Sequence, residues 1–504
     1  MAEMNDKKDT SIKNKSSTIW LVIRWIGKVI LIILLMLLII FQFPWKVIAL
    51  FTITLAACTI LPRRYRKWFW LTAGIVVLIL VIWIFLPEDN TGWRPYSFDE
   101  ELADLEIKYA LPDDENAALI YDSILKDYDY KKMHPAFLKR DLDRLTYSEL
   151  WMSRDYPELA QWIQEQEHLI QSLFKAVQKD KCHFPINVQL MVTDKLEINR
   201  LSALRSWGLL LLRAANNDMA EGRTEQAIEK YLSVIRMMNH INQQQQDTYL
   251  LMSYIPEQQT LIALNRFLIE GEPTTKQLLL ISDSISSSLQ NNWCLDFSRW
   301  LETNVLFWKN AFGLFYEINS DGQIRFSRNP TSLTSELFFS RRLGRFFRDK
   351  QAHKIYAVLA WFFLPSTSQK AADTIETIHK QYQPMSRRDF DWTKKPTVPE
   401  ISFKFNYDYM VKSVIVKEND TDRLYRHYYD MYIEQITLRR GLRLLVGIKQ
   451  YRLEYDKWPD SLEEIKSDAP AEAFIDPATG KQLQYENHGR YFSLYGETIN
   501  IWPR

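Results

Sequence analysis

The sequence contains few cysteines and few glycines, with 3 Cys and 14 Gly among 504 residues. Three cysteines are too few for a disulfide-rich scaffold, and no two of them stand at the spacing of a zinc site. Scarce glycine argues against a glycine-rich phosphate-binding loop, and the chain has neither a Gly-x-Ser-x-Gly nor a His-Glu-x-x-His motif. The local motifs therefore predict no catalytic residue, no metal site and no cofactor.

The 8 histidines are scattered along the chain. Glu165 and His168 form one Glu-x-x-His step, whereas a carboxylate-bridged di-metal bundle needs two such steps and two further glutamates. A solvated helix face explains the single copy. Because an enzyme with dispersed catalytic residues leaves no local pattern, a membrane-bound hydrolase or another enzyme stays open as the alternative function.

Charge is divided unevenly between the N-terminal region and the rest of the chain. Residues 1–87 carry a net charge of +8, and the total of +1 leaves the remaining residues at −7. Proteins that bind a phosphate backbone cluster Lys and Arg on one surface. We therefore expect no nucleic-acid partner.

Three hydrophobic runs lie in the first 87 residues, at about 26–43, 46–62 and 68–87. A helix needs roughly 20 apolar residues to cross a bilayer core, with about 17 as the lower limit. The runs predict three N-terminal transmembrane helices, with the lipid bilayer as a partner. The second run is the shortest, and two spans remain if it only enters the bilayer and returns.

Basic residues precede the first run and again the third, at 63–67. Since such residues stay on the cytoplasmic side, three spans predict a bacterial inner-membrane protein with a cytoplasmic N-terminus and an extracytoplasmic C-terminal body. With two spans the body would be cytoplasmic. Outside the cytoplasm Cys182 and Cys294 could form a disulfide, although two buried free thiols are the favoured alternative.

A proline-containing stretch at 384–400 predicts a linker. It separates a mostly helical domain, residues 88–383, from a smaller module, residues 401–504. The predicted fold class is therefore mainly α, with N-terminal transmembrane helices, an irregular α-helical soluble domain and a small C-terminal α+β module.

Within the helical domain, apolar residues at helical spacing predict helices at 115–128, 156–178, 194–216, 224–242 and 253–269. The segment from Leu201 to His240 is the clearest pattern, because two apolar stripes flank a short turn at 220–223, as in an αα-hairpin.

This hairpin resembles a tetratricopeptide-type unit in its residues Trp207, Gly208, Ala227 and Tyr231. The resemblance implies a helical groove that binds peptide, with Trp207, Arg223 and Tyr231 as candidate binding residues. An ordinary helical pair is the favoured interpretation, because no second copy follows at a period near 34 and solenoids need about three repeats.

After the linker, a three-four apolar spacing predicts a long helix at 421–455, interrupted once at Gln435. Asp460 with Glu463 predicts a capped start for a short helix, and residues 476–480 form a turn signal. Two short strands are predicted at 482–485 and 490–495.

Residues 435–496 resemble the globular part of type II secretion major pseudopilins and, more closely, the C-terminal module of planctomycete membrane proteins of unknown function. The matching elements are Tyr451, Tyr455, Trp458 to Ile465, Asp476, Pro477, Gly480, Tyr485, Gly489 and Phe492 to Gly496. The resemblance implies a small α+β scaffold in which Tyr455, Trp458, Asp476 and Tyr495 are candidate binding residues, with structural roles favoured.

The sequence departs from the pseudopilin pattern in two respects. The long helix carries arginines and lacks both the apolar anchor and the processing site, so the chain is not a pilus subunit of that kind. Asp476 alone matches the acidic positions of the family's calcium site, and a hard cation needs six to eight oxygen ligands. We expect a non-enzymatic protein that contacts an unknown protein partner in a cell-envelope or secretion-related assembly.

Overall fold

The computed structural model describes residues 92–186, 195–244, 246–286, 289–326, 367–387, 390–391, 421–496 and 500–502. These residues are mainly helical and also form two three-stranded antiparallel sheets. They group into two compact units. The first contains the described residues within 92–98, 308–326 and 367–381, and the second contains those within 99–307, 382–391 and 422–502.

The predicted fold class is wrong in its transmembrane part. Among the helices of the described ranges, none combines the length and the apolar character that crossing a membrane requires. The 35-residue helix at 421–455 is long enough, but it carries Arg439, Arg440 and Arg443. The three hydrophobic runs and most of the predicted linker lie outside the described residues.

Thirteen α-helices occur in the described residues. In chain order they are α1 (Asp99–Tyr109), α2 (Ala118–Leu125), α3 (Tyr130–Met133), α4 (Arg140–Ser148), α5 (Pro157–Glu165), α6 (Glu167–Ala176), α7 (Lys195–Ala220), α8 (Thr224–Asn242), α9 (Asp247–Glu270), α10 (Thr275–Ser286), α11 (Trp293–Gly313), α12 (Ser368–Lys380) and α13 (Thr421–Tyr455). The predicted helix at 156–178 is thus two helices, α5 and α6, with a break at Gln166.

The first unit contains a sheet of β1 (Trp93–Pro95), β2 (Tyr316–Asn319) and β3 (Ile324–Phe326), in that order. A buried ion pair joins Lys309 to Glu376 on α12 at 2.7 Å. Since a buried ammonium without a counter-charge is costly, this pair holds α12 against the last turns of α11.

The second unit is built around α7, α8 and α9. The predicted hairpin is confirmed: α7 ends at Ala220, and α8 has the predicted bounds. Gly222 adopts φ +76° in the turn, a conformation that favours glycine. From Leu201 onwards the leucines and isoleucines of α7 and α8 are buried, and each such side chain contributes about 2 kcal/mol of burial free energy.

Helix α13 belongs to the same core as the α7–α8 hairpin, and its residues 435–448 are all buried. The predicted bounds of this helix are confirmed. Two 3-10 turns follow at Leu462–Ile465 and Ala471–Phe474.

The second sheet, of β4 (Gln484–Asn487), β5 (Phe492–Tyr495) and β6 (Asn500–Trp502), completes this unit. The predicted hairpin is confirmed in β4 and β5. Phe492 and Leu494 turn their side chains into the core that α13 shares with the helices.

Candidate functional site

An open cleft of about 870 Å³ lies in the second unit, between α8, the end of α10, the start of α11 and the middle of α13. We call it the polar cleft. Its lining includes Asn239, Asp296, Arg299, Tyr432 and Arg439. The helices that form it are fixed by the apolar core, whereas the cleft itself is lined mainly by hydrogen-bonding and charged groups.

Asp296 and Tyr432 form the central hydrogen bond of the polar cleft. The Tyr432 hydroxyl donates to Asp296 Oδ2 at 2.9 Å and accepts the backbone N–H of Asn292 at 3.0 Å. Burial raises the pKa of Asp296 to about 6, although the Tyr432 hydrogen bond and nearby arginines favour the ionised form. The carboxyl group therefore exchanges its proton close to neutral pH.

Arg299 lies one turn beyond Asp296 on α11. Its Nη1 is 3.8 Å from Asp296 Oδ1, which is too long for a hydrogen bond. Its guanidinium carbon lies 5.4 Å from the ring centroid of Tyr109. Arg299 Nε is buried and has no hydrogen-bond partner in the described part of the chain. The rest of the side chain is 28% exposed and makes no hydrogen bond with a described residue, so its terminal N–H groups are available to a ligand.

Arg439 is neutralised at the base of the polar cleft by Glu257, a fully buried residue of α9. Arg439 Nε donates to Glu257 Oε1, and Gln435 Nε2 donates to Glu257 Oε2 at 2.8 Å. This network explains why a polar residue interrupts the apolar spacing at Gln435. It also shows that Arg439 is committed to a partner inside the protein.

His240 reaches the polar cleft from α8, but both of its ring nitrogens are engaged. Nε2 lies 2.7 Å from the carbonyl oxygen of Lys179, and Nδ1 lies 3.1 Å from the Tyr121 hydroxyl. A carbonyl only accepts, so Nε2 carries the proton and Nδ1 accepts from Tyr121. Burial lowers the pKa of His240 to about 4. The ring is therefore neutral at pH 7, and its two hydrogen bonds connect α8 to Lys179 and to Tyr121.

Three carboxamide side chains give the polar cleft free hydrogen-bonding capacity. Asn239, Gln290 and Asn292 line it, and their side chains make no hydrogen bond with any described residue. Leu280 and Leu295 stand at its rim with 43% and 52% of their surface exposed. The cleft thus offers donors, acceptors and apolar contacts to a bound molecule.

The three residues predicted on the helical hairpin lie elsewhere. Trp207 and Tyr231 are core residues: the ring of Trp207 stacks on Tyr121 with centroids 6.3 Å apart, and the Tyr231 hydroxyl donates to Asn216 Oδ1 at 2.7 Å. Arg223 lies at the hairpin turn and lines a separate cavity of about 750 Å³.

Arg223 is held by its own helix pair. Its Nε donates to Asp218 Oδ1 at 2.7 Å, and Lys230 Nζ donates to Asp218 Oδ2 at 2.6 Å. The Asp218 carboxylate therefore binds both the Arg223 guanidinium and the Lys230 ammonium group. This arrangement stabilises the turn between α7 and α8.

The four residues predicted in the C-terminal module are dispersed over it. Trp458 is buried against Phe492 with ring centroids 4.9 Å apart, whereas Tyr455 is 54% exposed. Asp476 is buried, and its Oδ1 accepts the backbone N–H of Ala478 at 2.8 Å, as in an Asx turn. The Tyr495 hydroxyl donates to Glu486 at 2.6 Å across β4 and β5. None of the seven predicted residues lines the polar cleft.

Sequence reasoning missed Asp296, Arg299 and Tyr432. Asp296 and Tyr432 are 136 positions apart, so no local spacing relates them. The interruption at Gln435 was the one signal, since a polar residue on an apolar stripe needs a buried partner.

The described residues contain no group of three or more His, Cys, Asp or Glu side chains arranged to hold a metal ion. Cys182 and Cys294 are both free, with Cys182 buried and Cys294 exposed. Comparison with known proteins finds no matching family model, no matching curated protein and no matching solved structure. The resemblances to pseudopilins and to tetratricopeptide units stay predictions.

Proposed function

We propose that this chain is a non-enzymatic binding protein that takes an extended segment of a partner protein into the polar cleft. The observation that carries the proposal is the set of free carboxamides at Asn239, Gln290 and Asn292, which line one cleft with Asp296 and Arg299. Under this proposal, the predicted contact with a partner protein occurs in the polar cleft.

An extended peptide has one N–H and one C=O at every non-proline residue, and each needs a partner when water is removed. A carboxamide offers two donors and an acceptor on the same side chain, so it matches either backbone group. The three free carboxamides supply such partners at separate points along the cleft.

The rim residues Leu280 and Leu295 add apolar contacts at the mouth of the cleft. Each leucine is about half exposed, so covering it contributes about 1 kcal/mol. Polar groups line the cleft and two apolar side chains stand at its mouth, the reverse of the apolar centre and polar rim of a typical protein interface. This arrangement suits a segment whose backbone and polar groups enter the cleft.

A cell-envelope or secretion-related assembly is the proposed setting, and it rests on the resemblance of residues 435–496 to pseudopilin globular domains. Helix α13 lines the polar cleft with Tyr432, Gln435 and Arg439. The same helix continues into the module that carries the resemblance. A partner in the cleft would therefore contact the element that links both parts.

A hydrolase is the second candidate, and the Asp296–Tyr432 pair favours it. A general acid or base works best when its pKa lies near the working pH, and the pKa of Asp296 is raised to about 6. Turnover of peptide or ester substrates that is lost in Asp296→Asn, with substrate binding retained, would establish this alternative.

Site-specific photo-cross-linking tests the binding function. A benzophenone amino acid is placed at Leu295, on the cleft rim, in the full-length protein in its native cells. The matched control has it at Leu119 on α2, because the two leucines are 52% and 49% exposed and Leu119 does not line the cleft.

The expected result is a discrete adduct from Leu295 in which mass spectrometry finds one partner segment, with no such adduct from Leu119. Asn239→Leu, made in the protein that carries the benzophenone amino acid at position 295, should reduce the yield of the adduct, since it removes a carboxamide from the cleft. Equal labelling from both positions, or none from Leu295, would overturn the proposal.

A further inference from the structure

The geometry points to a segment that bears a carboxylate as the occupant of the polar cleft, with Arg299 as the residue that binds this carboxylate. The inference rests on the proposed function and adds the chemical class of the ligand. It follows from the arrangement of Arg299, Asp296 and the other charged groups of the cleft.

Arg299 has hydrogen-bonding capacity that the described protein does not use. A guanidinium presents five N–H donors in a planar fork. The Arg299 side chain is 28% exposed, and none of its N–H groups makes a hydrogen bond with a described residue. A carboxylate accepts two parallel hydrogen bonds from that fork, which makes it a better ligand than a single carbonyl.

The protein's own nearby carboxylate does not fill this role. Asp296 Oδ1 stays 3.8 Å from Arg299 Nη1, and Asp296 Oδ2 accepts the Tyr432 hydroxyl instead. Burial also favours the protonated form of Asp296. A protonated Asp296 can donate its O–H to a ligand oxygen, so the two residues together offer a charged donor and a neutral donor.

Other cations of the polar cleft are directed to partners inside the protein. Arg439 pairs with Glu257, and Lys179 Nζ donates to the backbone oxygens of Asp113 and Asp114 at 3.2 and 2.7 Å. Arg236 Nη2 donates to Ser284 at 3.1 Å. Arg299 is therefore the cation best placed to meet a ligand.

The charge of the cleft favours a carboxylate over a phosphate. Asp180 and Asp283 both line it, and a dianion would meet more repulsion from them than a monoanion does.

Two pools of N-acetylated pentapeptides with the same randomised sequences provide the probe, one with a free C-terminal carboxylate and one with a C-terminal amide. Each pool is passed over immobilised full-length protein at pH 6, and the retained peptides are identified by mass spectrometry. Arg299→Gln is compared with Arg154→Gln, whose side chain is 79% exposed and lies outside the cleft.

We expect at least about 10-fold greater retention of carboxylate-bearing peptides by the native protein and by Arg154→Gln, and loss of this preference in Arg299→Gln. Preference for the free-carboxylate pool identifies a chain end as the source. Enrichment of Asp or Glu within the amide pool identifies a side chain. If Arg299→Gln does not fold, Arg299→Lys keeps the charge without the fork, and we expect it to lose most of the preference.

Equal retention of peptides that bear a carboxylate, at the chain end or on a side chain, and of peptides that bear none, abolished by Asn239→Leu, would overturn the carboxylate inference and leave the binding function standing. Retention of no peptide from either pool would overturn the proposed function and the inference with it.

Discussion

The hydroxyl of Tyr432 lies 2.9 Å from Asp296 Oδ2 and joins α13 to the first turn of α11. This bond fixes one oxygen of a carboxyl group whose burial opposes ionisation. The ionised Asp296 carboxylate therefore disfavours folding at neutral pH, and the protonated carboxyl group can donate a hydrogen bond to a ligand. A raised pKa together with a specific charged partner in a cleft makes Asp296 a candidate functional residue.

Replacing Asp296 with Asn should stabilise the protein at high pH. The folded pKa of about 6 lies above the ordinary value of 3.8, so the aspartate favours folding fully below pH 3.8 and loses that contribution as pH rises to 6. At pH 8 the ionised group costs about 3 kcal/mol, from about 1.4 kcal/mol per pKa unit. The amide still accepts from Tyr432 and carries no charge.

Urea unfolding of Asp296→Asn and the native protein at pH 4 and pH 8 measures this effect. The variant should be the more stable at pH 8, and the difference should largely close at pH 4. Asp283→Asn is the control, because Asp283 is exposed in the same cleft and its change should stay within about 0.5 kcal/mol. A less stable Asp296→Asn protein at pH 8 would refute this account.

Replacing His240 with Gln should reduce the fall in the free energy of unfolding between pH 7 and pH 4. The folded pKa of about 4 lies below the ordinary value of 6.5, so the neutral ring contributes stability that is fully present above pH 6.5 and lost as pH falls to 4. The free energy of unfolding falls by about 3 kcal/mol between pH 7 and pH 4, because His240 binds a proton in the unfolded chain more readily than in the folded protein.

Unfolding free energies at pH 7 and pH 4 provide the measurement. The fall in stability between them should be about 3 kcal/mol smaller for His240→Gln than for the native protein. His168→Gln, at an exposed site on α6, should behave as the native protein does. An unchanged slope in His240→Gln would show that another group controls the acid response.

Two glycines of α13 should respond in opposite directions to substitution by alanine. A Cβ at Gly441 would overlap the Ile501 side chain of β6, whereas a Cβ at Gly447 would meet Ile465 at 3.5 Å, an ordinary contact. We expect Gly441→Ala to cost about 1–3 kcal/mol through overpacking. Gly447→Ala should gain up to about 1 kcal/mol, because alanine is the better helix former.

Thermal and urea unfolding of both variants compares the two glycines in one helix. Combining Gly441→Ala with Ile501→Ala should recover at least 1 kcal/mol relative to the sum of the single changes, since the smaller side chain removes the overlap. Strict additivity would mean that Ile501 does not limit the space at Gly441.

Sequence reasoning succeeded where the information is local. The bounds of α8 and α13 follow from apolar residues at three-four spacing, and the turn at Gly222 follows from a glycine between two such stripes. The start of the short turn after α13 was less well predicted. The 3-10 turn begins at Leu462, and Glu464, rather than Glu463, accepts the backbone N–H of Asp460 at 2.8 Å.

The buried arginines of α13 could not be predicted because their partners carry no signature in the sequence. Arg440 donates to the backbone carbonyls of Leu289 and Ile475 at 3.0 and 2.7 Å, and Arg443 donates to the carbonyl of Asp468. Every residue has a carbonyl, so nothing in the residue types marks these three. The polar cleft could not be predicted either, because it depends on how α11 and α13, which are distant in sequence, pack together.

The enclosure of α13 has a consequence for how the second unit opens. Its residues 440–448, beyond the polar cleft, are all buried, so their backbone amides can meet solvent only when the surrounding helices and β5 separate together. Hydrogen exchange along this stretch then reports the opening of the whole unit rather than local fraying. A protease that needs an unfolded segment would find none here until the entire unit has come apart.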